Sequence, residues 1–160
     1  MQGIILNEGG CVTYPYEIFK HIEEYIKSLN WRITNVECFC RTTTYVFPFE
    51  ECNDYFVDGE TLYNMLKEHP EIQWVWGALS GFTKDITWDE IKQNPVIEDI
   101  SEIPYLKGRL HHIEPKAVFE MIAFDSAETY IMADNPEIVK RLYKLFPDAE
   151  NLEKYVEEDE

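Results

Sequence analysis

The sequence predicts a single α+β domain, a mainly antiparallel sheet of about five or six strands packed with three or four helices. The 160 residues are 45% hydrophobic and 14% aromatic, which is enough apolar surface for one core. Segments of β-branched and aromatic residues alternate with segments whose apolar residues repeat at helical spacing. We assign residues 1–147 to this domain and residues 148–160, which carry seven acids and one base, to an acidic C-terminal tail.

The first elements are a short strand, a turn and an amphipathic helix. Residues 3–6 are predicted as the strand, and residues 7–10 supply the glycines of the turn. Pro15 suits the first turn of a helix, which is the clearest amphipathic segment of the chain. The predicted buried face of this helix consists of Ile18, Ile22, Tyr25, Ile26 and Leu29.

The segment Trp31–Phe49 is rich in β-branched and aromatic residues, which predicts two strands paired as a hairpin near Arg41. Pro48 is expected to end the second strand. After a polar segment, Asp58 is the predicted N-cap of a short helix, because its carboxylate can accept a free backbone amide. This helix is expected to stop before Pro70.

The segment Ile72–Phe82 is dense in apolar residues, as is typical of a central strand covered on both faces. Alternation along a strand would put Trp74 and Trp76 on the same face. The following Thr87–Glu90 matches the capping box Ser/Thr-x-x-Glu, which predicts a short helix through Ile91.

Residues 94–116 contain three prolines among acidic residues, which predicts a long irregular connection over the surface. Two strands are then predicted at 118–124 and 128–132, turning around Asp125–Ala127. Asp134–Glu137 is predicted to begin a final helix, because Pro136 is favoured at a first helical position.

The charge balance excludes some classes of partner. Fourteen Lys and Arg against 31 Asp and Glu give a net charge of -17. This charge repels phosphate backbones and anionic membranes within a Debye length, about 8 Å at physiological salt. We therefore expect no direct binding of nucleic acid or membrane. A basic protein would be attracted and steered, although solubility alone also accounts for an acidic composition.

The amino terminus has no basic region and only three consecutive large apolar residues, so we expect no signal peptide. No stretch reaches the roughly 18 apolar residues that cross a bilayer. A cytoplasmic protein with reduced thiols is the expectation. The four cysteines, predicted to be buried small apolar residues, are Cys11, Cys38, Cys40 and Cys52.

No motif for nucleotide binding, zinc-protease or hydrolase chemistry occurs in the chain: GxGxxG, the Walker loop, HExxH, GxSxG and paired CxxC are all missing. We expect no catalytic residue, no metal site and no cofactor. The pair His111–His112 is predicted to be solvated in a loop, because neighbouring side chains point in different directions.

One alternative is a small hydrolase or ligand-binding enzyme. Asp125 follows an apolar strand, with further carboxylates at Glu120 and Glu128, and two carboxylates about 5 to 10 Å apart can act as acid and base in glycoside hydrolysis. A cleft floor would come from Trp74, Trp76 and Trp88. A β-turn at Asp125 and core tryptophans explain the same residues.

Three acidic runs interleaved with aromatic residues are the candidate binding surface, because aromatic residues anchor an interface while carboxylates pair with Arg and Lys. A merely solvated surface explains them as well. The first run comprises Glu50, Glu51, Asp54, Tyr55, Asp58 and Glu60, with Phe56 among them. The second comprises Asp85, Trp88, Asp89 and Glu90, and the third comprises Glu98, Asp99 and Glu102, followed by Tyr105.

Segments 73–82, 122–126 and 146–153 resemble a family of small uncharacterised proteins of Gram-positive bacteria. The resemblance covers mainly the second half of the chain and implies a cytoplasmic bacterial protein, with no activity, cofactor or site residue. In size and acidity the chain is similar to immunity proteins that neutralise polymorphic toxins.

These features make a non-catalytic acidic protein-binding module the leading expectation, in its most concrete form an immunity protein that neutralises a basic toxin domain such as a nuclease. A second possibility is a DNA-mimicking inhibitor of a DNA-binding enzyme, whose carboxylates imitate phosphates. The enzyme built around Asp125 is the third.

Overall fold

The computed structural model describes residues 2–7, 13–102 and 110–158, and for the last three of these only the backbone. The predicted turn at residues 7–10 lies mostly outside the described residues. Cys11 and Tyr105 also lie outside them.

The described residues form one antiparallel sheet of seven strands in the order β3-β2-β4-β5-β6-β1-β7. The predicted α+β domain with an antiparallel sheet is confirmed, with more strands than the expected five or six. The strands are β1 (Gln2–Leu6), β2 (Asn30–Phe39), β3 (Asp54–Asp58), β4 (Gln73–Phe82), β5 (Phe119–Phe124), β6 (Glu128–Ala133) and β7 (Glu150–Asn151).

Helices of the described part are α1 (Pro15–Phe19), α2 (Glu23–Lys27), α3 (Gly59–Glu68), α4 (Trp88–Lys92), α5 (Pro136–Leu145) and α6 (Leu152–Glu158). The 3-10 turn Lys20–Ile22 joins α1 to α2 into one helical segment. The described part of the chain therefore contains five helical segments, where three or four were predicted. Further 3-10 turns occupy Pro48–Glu50 and Ile100–Glu102.

The predicted helix starts are confirmed by their caps. The Asp58 carboxylate accepts a hydrogen bond from the Thr61 amide at 2.9 Å and so caps the start of α3. This helix ends at Glu68, before Pro70. The Thr87 hydroxyl accepts the Glu90 amide at 3.2 Å at the start of α4. Asn135 accepts the Glu137 amide at 3.0 Å before α5. Each cap satisfies a backbone donor that the first turn leaves without a partner.

One face of the sheet, here called the helix face, packs against α1, α2, α3 and α5. Trp31 and Phe119 stand at its centre with ring centroids 5.8 Å apart, and Phe19 contacts both rings. The predicted face of the first helix is confirmed: Ile18, Ile22, Ile26 and Leu29 are buried, and Tyr25 packs against them half-buried.

The opposite face, here called the loop face, is covered by α4, α6 and the connection between α4 and β5. Ile5, Ile122 and Tyr130 pack there with Ile100 of the connection and Leu152 of α6. Leu152 is fully buried and β7 pairs with β1, so residues after Pro147 contribute to the sheet and its cover.

Trp74 and Trp76 lie on opposite faces of the sheet, so their predicted common face is wrong. The register between β2 and β4 shifts twice, and the second shift places one extra residue of β4, Val75, between the two tryptophans. Such a bulge reverses the side-chain alternation of the strand that carries it. Trp74 therefore packs on Phe49 in the helix face, at 5.3 Å, and Trp76 packs on Phe124 in the loop face, at 4.8 Å.

The predicted hairpin near Arg41 is also wrong. Residues 40–47 contain no strand, and β2 pairs on its outer side with β3, for which no strand was predicted. Phe47 and Phe49 are buried around Trp74 instead of extending a second strand, and Pro48 begins a 3-10 turn between them. Core burial has outweighed β-propensity here.

The predicted strand pair at the end of the chain is confirmed as β5 and β6, joined by a tight turn. Asp125 and Ser126 have φ values of 50° and 60°. The Ala127 amide donates to the Phe124 carbonyl at 3.1 Å, and positive φ at both central residues of such a β-turn matches the twist of the paired strands.

Candidate partner-binding surface

The first acidic run divides into residues that hold the fold and residues that face solvent. Glu50 accepts the Phe47 amide, Asp54 binds Arg32 and Asp58 caps α3. Glu51 and Glu60 are exposed and make no ion pair with the described residues.

Tyr55 does not belong to the exposed surface of this run. It is half-buried against Phe49 on the helix face, with ring centroids 6.0 Å apart. Phe56, which points to the other side of β3, is the aromatic residue of this run that reaches the second run.

The second run lies beside the first. Trp88 packs against Phe56 with ring centroids 5.1 Å apart, which joins α4 to the edge strand β3. Asp85 and Asp89 are exposed, and Glu90 pairs with Lys116 at 3.5 Å. The structure therefore brings two of the predicted runs together around one aromatic pair.

The third run lies on the loop face, around the 3-10 turn Ile100–Glu102. Ile100 is buried against the sheet, whereas Glu98, Asp99 and Glu102 are exposed. Hydrogen bonds from Ser101 to the Asp99 carboxylate lower the pKa of Asp99. No hydrogen bond or ion pair among the described residues joins this run to the other two.

A polar network that the sequence analysis missed fastens the connection carrying the third run to the sheet. Its centre is Arg32, which is 2% exposed. The guanidinium donates to both carboxylate oxygens of Asp54, at 2.8 and 2.9 Å, and to Glu114 at 2.8 Å. It also donates to the backbone carbonyls of Ile91 and Asn94. Such charge-assisted bonds satisfy a buried cation.

Glu120 is the second buried centre and is completely inaccessible. Strand register places it beside Ser80, which in turn stands beside Arg32. The Ser80 hydroxyl donates to its carboxylate at 2.7 Å, and the amides of Ile113 and Glu114 donate at 2.7 and 3.2 Å. The connection is thus held to the sheet through its own backbone.

His112 completes the network, and its predicted solvation is wrong. Its side chain is 8% exposed, with Nδ1 3.0 Å from Glu120 and Nε2 2.8 Å from Asp134. Burial lowers the pKa of His112, but the hydrogen bonds and charges of these two carboxylates outweigh burial and leave the pKa raised. His111 is exposed, so the two neighbours do point in different directions, as predicted.

Glu114 borders an open pocket of about 210 Å³ whose lining includes Asn94, Ile91 and Lys116. Burial raises the pKa of Glu114 to about 6, although Asn94 and Arg32 act in the opposite direction. Both carboxylate oxygens are taken, one by Arg32 and one by Asn94. Among the described residues no group of three or more potential metal ligands is arranged around a common centre.

The three tryptophans do not come together to line the cleft that the enzyme alternative places near Asp125. Trp74 is fully buried on the helix face, Trp76 lies on the loop face, and Trp88 packs on Phe56. Asp125 is exposed in the tight turn that was its alternative explanation.

A signal for the missed network does exist in the sequence. Arg32 stands between Trp31 and Ile33, and Glu120 stands between Phe119 and Met121. A single charge inside an apolar strand is rarely buried without a partner. Two such residues of opposite sign therefore indicate a common buried polar cluster.

Comparison with protein-family models, with curated proteins and with solved structures finds no match to this chain. The resemblance to small Gram-positive proteins therefore stays a prediction. Within the described residues no helix has the length and apolar character that a membrane crossing requires.

Proposed function

We propose that this chain is a non-catalytic binding protein that recognises a basic protein surface, most concretely an immunity protein that neutralises a basic toxin domain such as a nuclease. The observation that supports this proposal is the joined surface of the first and second acidic runs. In these two runs, which the contact of Phe56 with Trp88 joins, Glu51, Glu60, Asp85 and Asp89 are exposed without an ion pair among the described residues.

Electrostatics set the expected behaviour of such a surface. A net charge of -17 raises the rate of encounter with a basic partner, and salt screens this attraction. Carboxylates at a rim act mainly on the association rate, whereas a few buried aromatic anchors determine the lifetime of the complex. An immunity protein of this kind would act in the cytoplasm, where the toxin would otherwise reach its substrate.

In the test, the protein is immobilised on a resin, exposed to lysate of its source organism and washed with buffers of increasing salt concentration. A retained basic protein is purified, and its association rate is measured by stopped-flow fluorescence across a salt series. We expect the association rate to fall steeply with salt while the dissociation rate changes little. Retention of acidic proteins only, or a salt-independent association rate, would contradict the proposal.

Toxin neutralisation needs a second readout. Expression of the partner alone is expected to stop growth, and co-expression of this chain is expected to restore it. A variant with Glu51, Glu60, Asp85 and Asp89 changed to the corresponding amides should rescue less well. The retained partner could instead be a DNA-processing enzyme whose expression does not stop growth. If duplex DNA then displaces this chain from that enzyme, the result would support the DNA-mimic alternative.

A further inference from the structure

The last residue of β2 and the irregular segment that follows it expose large apolar side chains of a kind that the rest of the described surface mostly buries. Phe39 is 53% exposed, Val46 is 50% exposed and Tyr45 is 38% exposed. The remaining large apolar side chain of comparable exposure in the described part is Leu145 on α5, at 41%. Three exposed large apolar residues thus lie within eight positions, in the segment here called the 39–46 loop, and exposed apolar residues that are grouped together mark interaction sites.

This loop is closed at its base and supported from one side. The Glu50 carboxylate accepts the amide of Phe47 and lies against the Cys38 thiol, whose pKa is raised first by burial and then by Glu50. The two ends of the loop are therefore held together. Tyr45 stacks on His69 with ring centroids 3.6 Å apart and an interplanar angle of 8°. A loop held in this way loses little conformational entropy when it binds.

The carboxylates around the loop determine which partner it fits. Glu37 precedes Phe39 by two residues and lies on the same side of β2. Glu51 follows the base of the loop, and the Glu71 carboxylate is within electrostatic reach of the Cys40 thiol. Within the loop itself the one cation is Arg41. Apolar side chains are thus bordered by an excess of negative charge.

We propose that the 39–46 loop is the anchor of the interface and enters a cleft of the basic partner that has an apolar floor and Lys and Arg at its rim. This inference rests on the proposed function and adds where the complex is held. Phe39 and Val46 fill the apolar floor. The joined acidic surface at Phe56 and Trp88 steers the approach, and the loop sets the lifetime of the complex.

The experiment compares the double variant Phe39→Ala, Val46→Ala with Leu145→Ala as a matched exposed apolar control. Binding of each to the purified basic partner is followed by surface plasmon resonance, with poly-L-lysine as a probe of charge alone. Thermal unfolding verifies that all three proteins are folded. We expect the double variant to raise Kd about tenfold or more through a faster dissociation rate, with its association rate and poly-L-lysine binding unchanged. Leu145→Ala should bind like the unchanged protein.

A Kd within twofold of the unchanged protein would overturn the anchor while the proposed function stood. An equal loss of poly-L-lysine binding would show a general loss of charge recognition and would also overturn it. Hydrogen exchange of the unmutated complex is an independent readout, in which protection of the amides of residues 40–46 is expected and its absence would refute the anchor. If the unchanged protein retains no basic partner, the proposed function fails and the anchor fails with it.

Discussion

Arg32 forms a bidentate ion pair with Asp54, in which Nε and Nη2 lie 2.8 and 2.9 Å from the two carboxylate oxygens. The arginine is almost completely buried, and the aspartate is about one-third exposed at the edge of the sheet. The pair therefore joins the edge strand β3 to the polar network under the long connection.

Replacing Arg32 by Met is expected to destabilise the fold by about 3 to 5 kcal/mol, because buried Glu114 loses its cation and the carbonyls of Ile91 and Asn94 lose their donor. Urea unfolding followed by circular dichroism measures the change. Lys92→Met is the control, since Lys92 is exposed and lies over the Phe56 ring without an ion pair among the described residues. Equal effects of the two substitutions would contradict the role given to Arg32.

The environment of His112 predicts a contribution to stability that is lost as the pH rises above the ordinary histidine pKa of about 6.5. Its folded pKa is raised above the unfolded value of about 6.5, so its contribution is complete below that value. The contribution is lost as the pH rises through the folded pKa. Unfolding free energies of the unchanged protein and of His112→Gln, measured from pH 5.5 to 9, should therefore converge with increasing pH. A constant difference would mean that His112 does not titrate with this sign.

Glu114 acts in a lower pH window. Because burial raises its folded pKa to about 6 from an ordinary value of 4.5, the folded state keeps its proton longer than the unfolded state. The contribution of Glu114 to the free energy of unfolding should therefore fall as the pH rises from 4.5 to 6. The carboxyl carbon chemical shift of Glu114 in an NMR titration should show a midpoint near 6. A midpoint near 4.5 would be inconsistent with its burial.

Asp58 is expected to act in the fold more than in binding. Its carboxylate accepts the Thr61 amide and hydroxyl, and these bonds lower its pKa. Asp58→Ala should cost about 1 kcal/mol of stability, whereas Asp58→Asn keeps an N-cap acceptor and should cost little. Thermal unfolding compares the two. If Asp58→Asn also leaves partner affinity unchanged, Asp58 is a cap that does not bind; a large loss of affinity would return it to the interface.

Sequence reasoning succeeded where short-range chemistry decides the structure. The N-caps at Asp58 and Thr87 and the helix start within residues 134–137 depend on residues within three positions, and the strand of residues 73–82 depends on a continuous apolar run. The same reasoning failed where distant contacts decide. Trp74 and Trp76 lie on opposite faces because of a bulge in β4 where it pairs with β2, and no local sequence pattern indicates this bulge.

The candidate site shows the same division. The positions of the acidic runs along the chain were predicted, but their grouping through Phe56 and Trp88 depends on the placement of α4 beside β3. The loss of a second strand after Arg41, which leaves the 39–46 loop exposed, follows from the burial of Phe47 and Phe49 around Trp74. Both outcomes require knowledge of packing between segments that are far apart in sequence.

The position of β1 in the sheet has a consequence for how the chain is made. In the described residues β1 pairs only with β6 and β7, whose residues follow it by more than a hundred positions. During synthesis β1 therefore leaves the ribosome long before either neighbour exists. Pairings of this sequence separation slow folding. The nascent chain must keep Ile4 and Ile5 from improper association until β6 and β7 have been synthesised.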